Sequence, residues 1–150
     1  PELALKAAEL KYPALDSRPI PITRNPKNFT RMVRNAIFTL LKTLSAKDWS
    51  EALLLIGAVD GDDQRWSKER LESLVTGFQE DRQRIRLDPD ARSPRHTFIE
   101  EGQSKWQVDQ VLVDPEDEND WTLRLSICLK ESDDIERPAL QLLGMARIGH

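Results

Sequence analysis

Apolar residues recur with the period of a helix in the first half of the chain and with the period of a strand in the second. Phe29, Val33, Ala36, Ile37, Leu40, Leu41 and Leu44 fall on one stripe of an amphipathic helix. Asn25 or Asn28 is placed to cap its start. In "DWSEALLLIG", Asp48 with Glu51 three residues on has the form of a capping box, and Gly57 is a natural stop. The polar turn "DGDD" at 60–63 follows. A third helix opens at Ser67, with Trp66 and Leu71 spaced for a hydrophobic staple and Leu71, Leu74, Val75, Phe78 and Ile85 as its buried face. "LDPDARSP" at 87–94 ends it.

From residue 96 the period changes. Trp106, Val108, Gln110 and Leu112 alternate with Gln107, Asp109, Val111 and Val113. Trp121, Leu123, Leu125, Ile127 and Leu129 alternate with Thr122, Arg124, Ser126, Cys128 and Lys130, which predicts a strand with one apolar and one polar face. Residues 139–148 predict a third strand and 96–101 a short fourth. Helices first and an antiparallel sheet after them make an α+β layout, with the helices packed on a curved sheet. Ahead of all this, residues 1–27 contain five prolines, so they are read as an extended arm or linker, with two or three helical turns in "ELALKAAEL". The single α+β domain is then 28–150.

Composition narrows the class. With 39% hydrophobic and 32% charged residues, the chain suits a folded soluble domain. No apolar run reaches the roughly 18–20 residues a membrane span requires, and no secretory leader is visible. One cysteine, Cys128, cannot form an internal disulfide, which points to a reducing, cytoplasmic setting. The first residue is proline instead of methionine, which fits either a fragment or a processed chain. The net charge of −4 hides a gradient: residues 1–50 balance at +5, 51–100 at −3 and 101–150 at −6. From Arg18 to Lys47, both included, there are seven basic residues and no acidic one.

Candidate chemistry is sparse. Asp114 to Asp120 holds five acidic residues in seven, but the spacing fails as an EF-hand: Asn119 stands where the turn glycine belongs and Leu125 where the bidentate Glu belongs. Pro115 and the short Asp and Asn side chains instead predict a hairpin turn. No phosphate-binding loop, zinc set, Cys–His dyad or nucleophile elbow occurs, so no metal, cofactor or catalytic residue is assigned and the chain is read as not itself an enzyme. His96 reads as structural or surface. Trp106 and Asp109 are pocket candidates: burial of Asp109 would suit general-base work, whereas the plainer reading is a solvated or partner-facing carboxylate. The four tryptophans could stack bases but continue apolar faces, which favours core packing. The basic stripe supplies nucleic-acid candidates, Arg24, Lys27, Arg31 and Arg34, against the plainer reading of a solvated helix face.

Three stretches carry a family likeness: "NPKNFTRMVRNAIFTLL", "DPDAR" and "KWQVDQVLVDPEDENDWTLRLSICLKESD". They contain F-x-x-x-V-R-N at Phe29, Val33, Arg34 and Asn35. They also contain W-x-V-x-Q-x-L-x-D-P at Trp106 to Pro115, followed by Asp120, Trp121 and Ser132. This pattern resembles a bacterial domain of unknown function appended to the C-terminus of superfamily-2 DEAD/DEAH-box helicases. The resemblance implies an accessory domain that assists RNA or partner binding, with ATP hydrolysis upstream of Pro1. Its candidate partners are RNA, the upstream helicase core and a second copy of the chain. The order of elements also resembles the nuclear transport factor 2-like cone, which implies a small-molecule pocket or enzyme as the alternative. The only tyrosine is Tyr12, so an Asp-plus-Tyr isomerase site lacks its second member. A dimerisation module using the strand face that carries Cys128 is the third reading.

Overall fold

A computed structural model describes residues 20–148. The helix proposed in "ELALKAAEL" and most of the proline-rich arm lie outside the described residues. Helices α1 (Pro26–Ser45), α2 (Trp49–Leu55) and α3 (Lys68–Arg82) come first. Strands β1 (Thr97–Glu101), β2 (Lys105–Leu112) and β3 (Trp121–Cys128) follow, then α4 (Leu129–Ile135) and β4 (Leu140–Arg147). The four strands form one open antiparallel sheet in the order β1-β2-β3-β4. The α+β layout is therefore present.

The helix starts follow local chemistry. Asn25 Oδ1 accepts from the Asn28 N–H, and Pro26 occupies the first helical position, where a missing N–H costs nothing. Asp48 and Ser67 cap α2 and α3 in the same way, through Glu51 N–H and Arg70 N–H. The end of the arm is docked. Ile22–Arg24 make a 3-10 turn, and Thr23 donates from its N–H and Oγ1 to the Asp133 carboxylate at 3.0 and 2.8 Å. Lys27, assigned to the arm by its prolines, thus lies in the first turn of α1.

One face of the sheet receives the helices. Phe29, Val33, Ile37, Leu40, Leu41 and Leu44 of α1 are buried together with Trp106, Val108, Leu112, Leu123, Leu125, Ile127, Leu140 and Leu142 of the strands. Two edge-to-face aromatic pairs join the layers: Phe29 with Trp106 at 4.9 Å and Phe78 of α3 with Trp121 at 5.7 Å. Trp66 donates from Nε1 to the Leu142 carbonyl, capping part of the β4 edge. Tryptophan thus serves packing.

The strand alternation holds with three departures. Leu129 begins α4 instead of continuing β3. Ser132 Oγ bonds the Cys128 carbonyl and accepts from Ala139 N–H, which turns the chain back toward β4. Thr122 and Ser126, on the polar phase of β3, are buried all the same. In β4 the apolar phase runs Leu140, Leu142, then Met145, a slip of one residue. A bulge opposite Arg124 and Leu125 absorbs it: Leu143 is the extra residue, next to Gly144 with φ +144°, a backbone angle suited to glycine.

The two phases of the sheet should respond differently to truncation. Leu125→Ala should cost about 2–5 kcal/mol in denaturant unfolding. Phe98→Ala, on the outer face and 60% exposed, should cost under roughly 1 kcal/mol. Equal losses would mean that the core lies elsewhere.

Candidate nucleic-acid interface

Helix α1 carries four cations, Lys27, Arg31, Arg34 and Lys42, and no carboxylate. Spacings of four, three and four residues align Lys27, Arg31, Arg34 and Phe38 in one row along the helix. Lys27 and Arg31 are exposed, whereas Arg34 is half-buried. Arg31 donates to Asn28 Oδ1 at 2.9 Å and Arg34 to the Arg92 carbonyl at 3.2 Å. The Arg92 guanidinium lies 4.5 Å over the ring of Phe38, a cation–π contact that tethers it beside α1. Arg34, Asn35, Phe38, Arg92, Thr97 and Gln110 line one cleft of about 60 Å³ between α1 and the first two strands. All three stretches that carry the family likeness meet at this cleft.

Arg24 stands outside this row, exposed on the short turn that Thr23 ties to α4. Arg92 was not among the sequence-derived candidates. Its signal was only "DPDAR", and its place beside α1 depends on contacts 54–58 residues away in sequence.

Aspartates hold the Arg92 loop in position. Its turn is closed by Arg92 N–H donating to the Asp88 and Pro89 carbonyls. Arg86 grips Asp88 with two hydrogen bonds of 2.8 and 2.6 Å and reaches Asp117 at 2.8 Å. The Arg86 guanidinium holds the Asp88 carboxyl down at about 2.

The acidic stretch is the turn between β2 and β3. Asp114, buried, accepts from three backbone N–H groups: Glu116 and Glu118 on Oδ1 and Asn119 on Oδ2. Its oxygens face the turn's own amides. Asp117 goes to Arg86, while Asp120 takes Arg82 at 2.7 Å and Arg147 at 3.3 Å. Hydrogen bonding to Arg82 holds Asp120 down at about 2. No group of three His, Cys, Asp or Glu able to hold a metal ion occurs among the described residues.

The two pocket candidates are not brought together. Trp106 is buried against Phe29 on the helix-covered face. Asp109 lies on the outer face, where it pairs with Arg124 at 3.3 Å and lines an open cavity with Phe98, Val111 and Thr122. Its side chain is 46% exposed, so the burial on which a general-base role depends is absent. His96 is buried, with no partner for Nε2 among the described residues. No helix among the described residues is long and apolar enough to cross a membrane.

Two outcomes follow from the turn. Asp114→Ala strands three amides and should cost about 2–3 kcal/mol. Glu116→Ala should stay within about 0.5 kcal/mol, and calcium or magnesium should leave the wild-type Tm unmoved. A divalent-dependent rise abolished by Asp114→Ala would restore the metal reading. Asp88 and Asp120 have folded pKa values below the ordinary aspartate value of about 3.9. Their contribution is full above that value and is lost as pH falls toward about 2. Acid unfolding of Asp120→Asn should therefore show a shallower fall between about pH 4 and 2 than wild type.

Residues 2–145 match the family model described as "Domain of unknown function (DUF3516)". Neither a curated protein nor a solved structure matches the chain. The match spans nearly the whole sequence, and the chain belongs to the DUF3516 family.

Proposed function

We propose that this chain is a non-catalytic accessory domain of a bacterial helicase-like protein and that it holds RNA by its phosphates along α1. One observation carries the reading: a twenty-residue helix whose charges are all positive, with Lys27, Arg31 and Arg34 in one row beside Arg92. Such a row suits a phosphate backbone, because cations position a strand without reading its bases. The resemblance to helicase C-terminal domains supplies the context. The chain has no phosphate-binding loop of its own, so ATP hydrolysis falls to another region of that protein.

The cone-fold alternative, a nuclear transport factor 2-like binder of small molecules, needs an open space between helix and sheet. Phe29, Trp106, Leu40, Leu112, Leu123 and Leu125 fill that space here, which favours the accessory-domain reading.

Titration of a labelled single-stranded RNA, followed by fluorescence anisotropy at two salt concentrations, tests the proposal. Binding should be sequence-tolerant and fall with salt, with a log–log slope of about 0.7 per phosphate contact. Lys27→Glu with Arg31→Glu should weaken it at least about tenfold at low salt, and Tm should hold because both side chains are exposed. No wild-type binding at low salt, or unchanged binding of the double variant, would overturn the reading.

A further inference from the structure

The described residues include five half-buried arginines: Arg34, Arg70, Arg82, Arg86 and Arg147. Four of them have aspartate partners: Asp60 for Arg70, Asp120 for Arg82 and Arg147, and Asp88 for Arg86. Arg34 alone has no carboxylate among the described residues. Instead it shares a cleft with a second arginine, Arg92, and its one side-chain hydrogen bond among the described residues is to that residue's carbonyl. Taking a charge part-way out of water without a counter-ion is costly, and placing a like charge beside it raises the cost. An anion seated in the cleft would supply the counter-charge that the other four arginines already have.

The rest of the lining says which anion. Besides the two arginines the cleft is lined by Asn35, Gln110, Thr97 and the Phe38 ring, with no acidic residue among the described residues; the Asn35 and Gln110 amides can donate, whereas the Thr97 proton is already given to Gln110. Gln110, 4% exposed, is fixed by accepting from Thr97 Oγ1 and donating to the Val111 carbonyl. A water needs about 10–15 Å³. At about 60 Å³ the cleft has room for one small tetrahedral oxyanion, and is too tight to take a base with its sugar. Arginine pairs recognise such groups with several charge-assisted hydrogen bonds. The donors are also held before any ligand arrives: Phe38 carries the Arg92 guanidinium, and the Arg86–Asp88 pair fixes the loop beneath it.

We infer that the Arg34–Arg92 cleft is a built site for a single phosphate group. This deepens the nucleic-acid reading, and the assignment of that phosphate to a strand rests on it. The phosphate can come from a strand's 5′ end, from an internal phosphodiester or from free inorganic phosphate. All three present the same oxygens to the same guanidinium groups.

Two measurements on the full chain separate these outcomes. The first is thermal unfolding with inorganic phosphate against chloride at matched ionic strength. Wild type should gain a saturable rise of about 2–6 °C. Arg34→Gln and Arg92→Gln should show none, and Lys130→Gln, an exposed change on α4, should keep it. Arg92 is exposed, so its variant tests the site even if Arg34→Gln fails to fold. The second is RNA anisotropy with 5′-phosphate and 5′-hydroxyl strands. Tighter binding of the 5′-phosphate strand, lost in Arg92→Gln, assigns the site to a strand end. Equal binding of both strands, weakened alike in Arg92→Gln, assigns it to an internal phosphodiester. A phosphate-dependent rise with no RNA binding leaves this site standing as one for free phosphate and removes the accessory-domain reading. RNA binding with no phosphate-dependent rise and no effect of Arg92→Gln leaves that reading standing and removes this site. A wild type that neither gains stability from phosphate nor binds RNA removes both.

Discussion

An open antiparallel sheet with one apolar face is unstable in water until that face is covered, and α1 supplies most of the buried helical side chains in the core. Phe29, Val33, Leu40 and Leu44 have no accessible surface at all. Each such side chain contributes on the order of 1.5–3 kcal/mol by leaving water. The demand is one-sided, because an amphipathic helix satisfies the sheet with a single stripe. The other face of α1 is then free of packing duty, and that is where Lys27 and Arg31 stand. Stability and the proposed contact with phosphate use opposite sides of one helix and can vary separately. Arg34, at the border of the two faces, is where they meet.

The second recurring device is the short carboxylate that folds its own turn. Asp60 accepts from Asp62 and Gln64 N–H and also takes Arg70; Asp114 accepts from three amides of the β2–β3 turn. Loops would otherwise leave those amides without partners. Further aspartates then reach outward to arginines of the helices and loops. Through Asp117, Arg86 and Asp88, the β2–β3 turn is linked to the loop that presents Arg92. The acidic stretch that first suggests a metal loop is thereby part of the framework behind a cationic cleft.

The helices, their caps, the strand phases and the turn at Asp114 were legible because each depends on neighbours a few residues apart. Period, capping spacing and turn residues are local signals. What was missed has another cause. α4 was hidden because Leu129 and Lys130 continue the alternation of β3, and what stops it, besides Ser132 on the Cys128 carbonyl, is long-range: Ser104 with the Leu129 amide and Asp133 with Thr23. Thr122 and Ser126 are small enough to be buried on a face that also carries charge, so polarity misjudged them. Of the candidate site, the α1 row could be read from helical spacing, but Arg92 could not. Nor could the pairing of every half-buried arginine except Arg34, since those partners lie 1–66 residues away with no fixed spacing.

Net charge is a poor guide to this surface for a related reason. The chain totals −4, which taken alone argues against a phosphate partner. Yet many of the carboxylates in its acidic half face arginines: Asp60, Asp81, Asp88, Asp90, Asp109, Asp117 and Asp120 all lie in ion pairs. Their fields are largely cancelled within a few ångströms. The cations of α1 have no such neighbours along their own helix. At physiological ionic strength, exposed charges beyond about 8 Å are screened. A strand lying along α1 would therefore feel Lys27, Arg31 and the Arg34–Arg92 cleft rather than the sum over the molecule. Where the charges are paired decides the partner; how many there are does not.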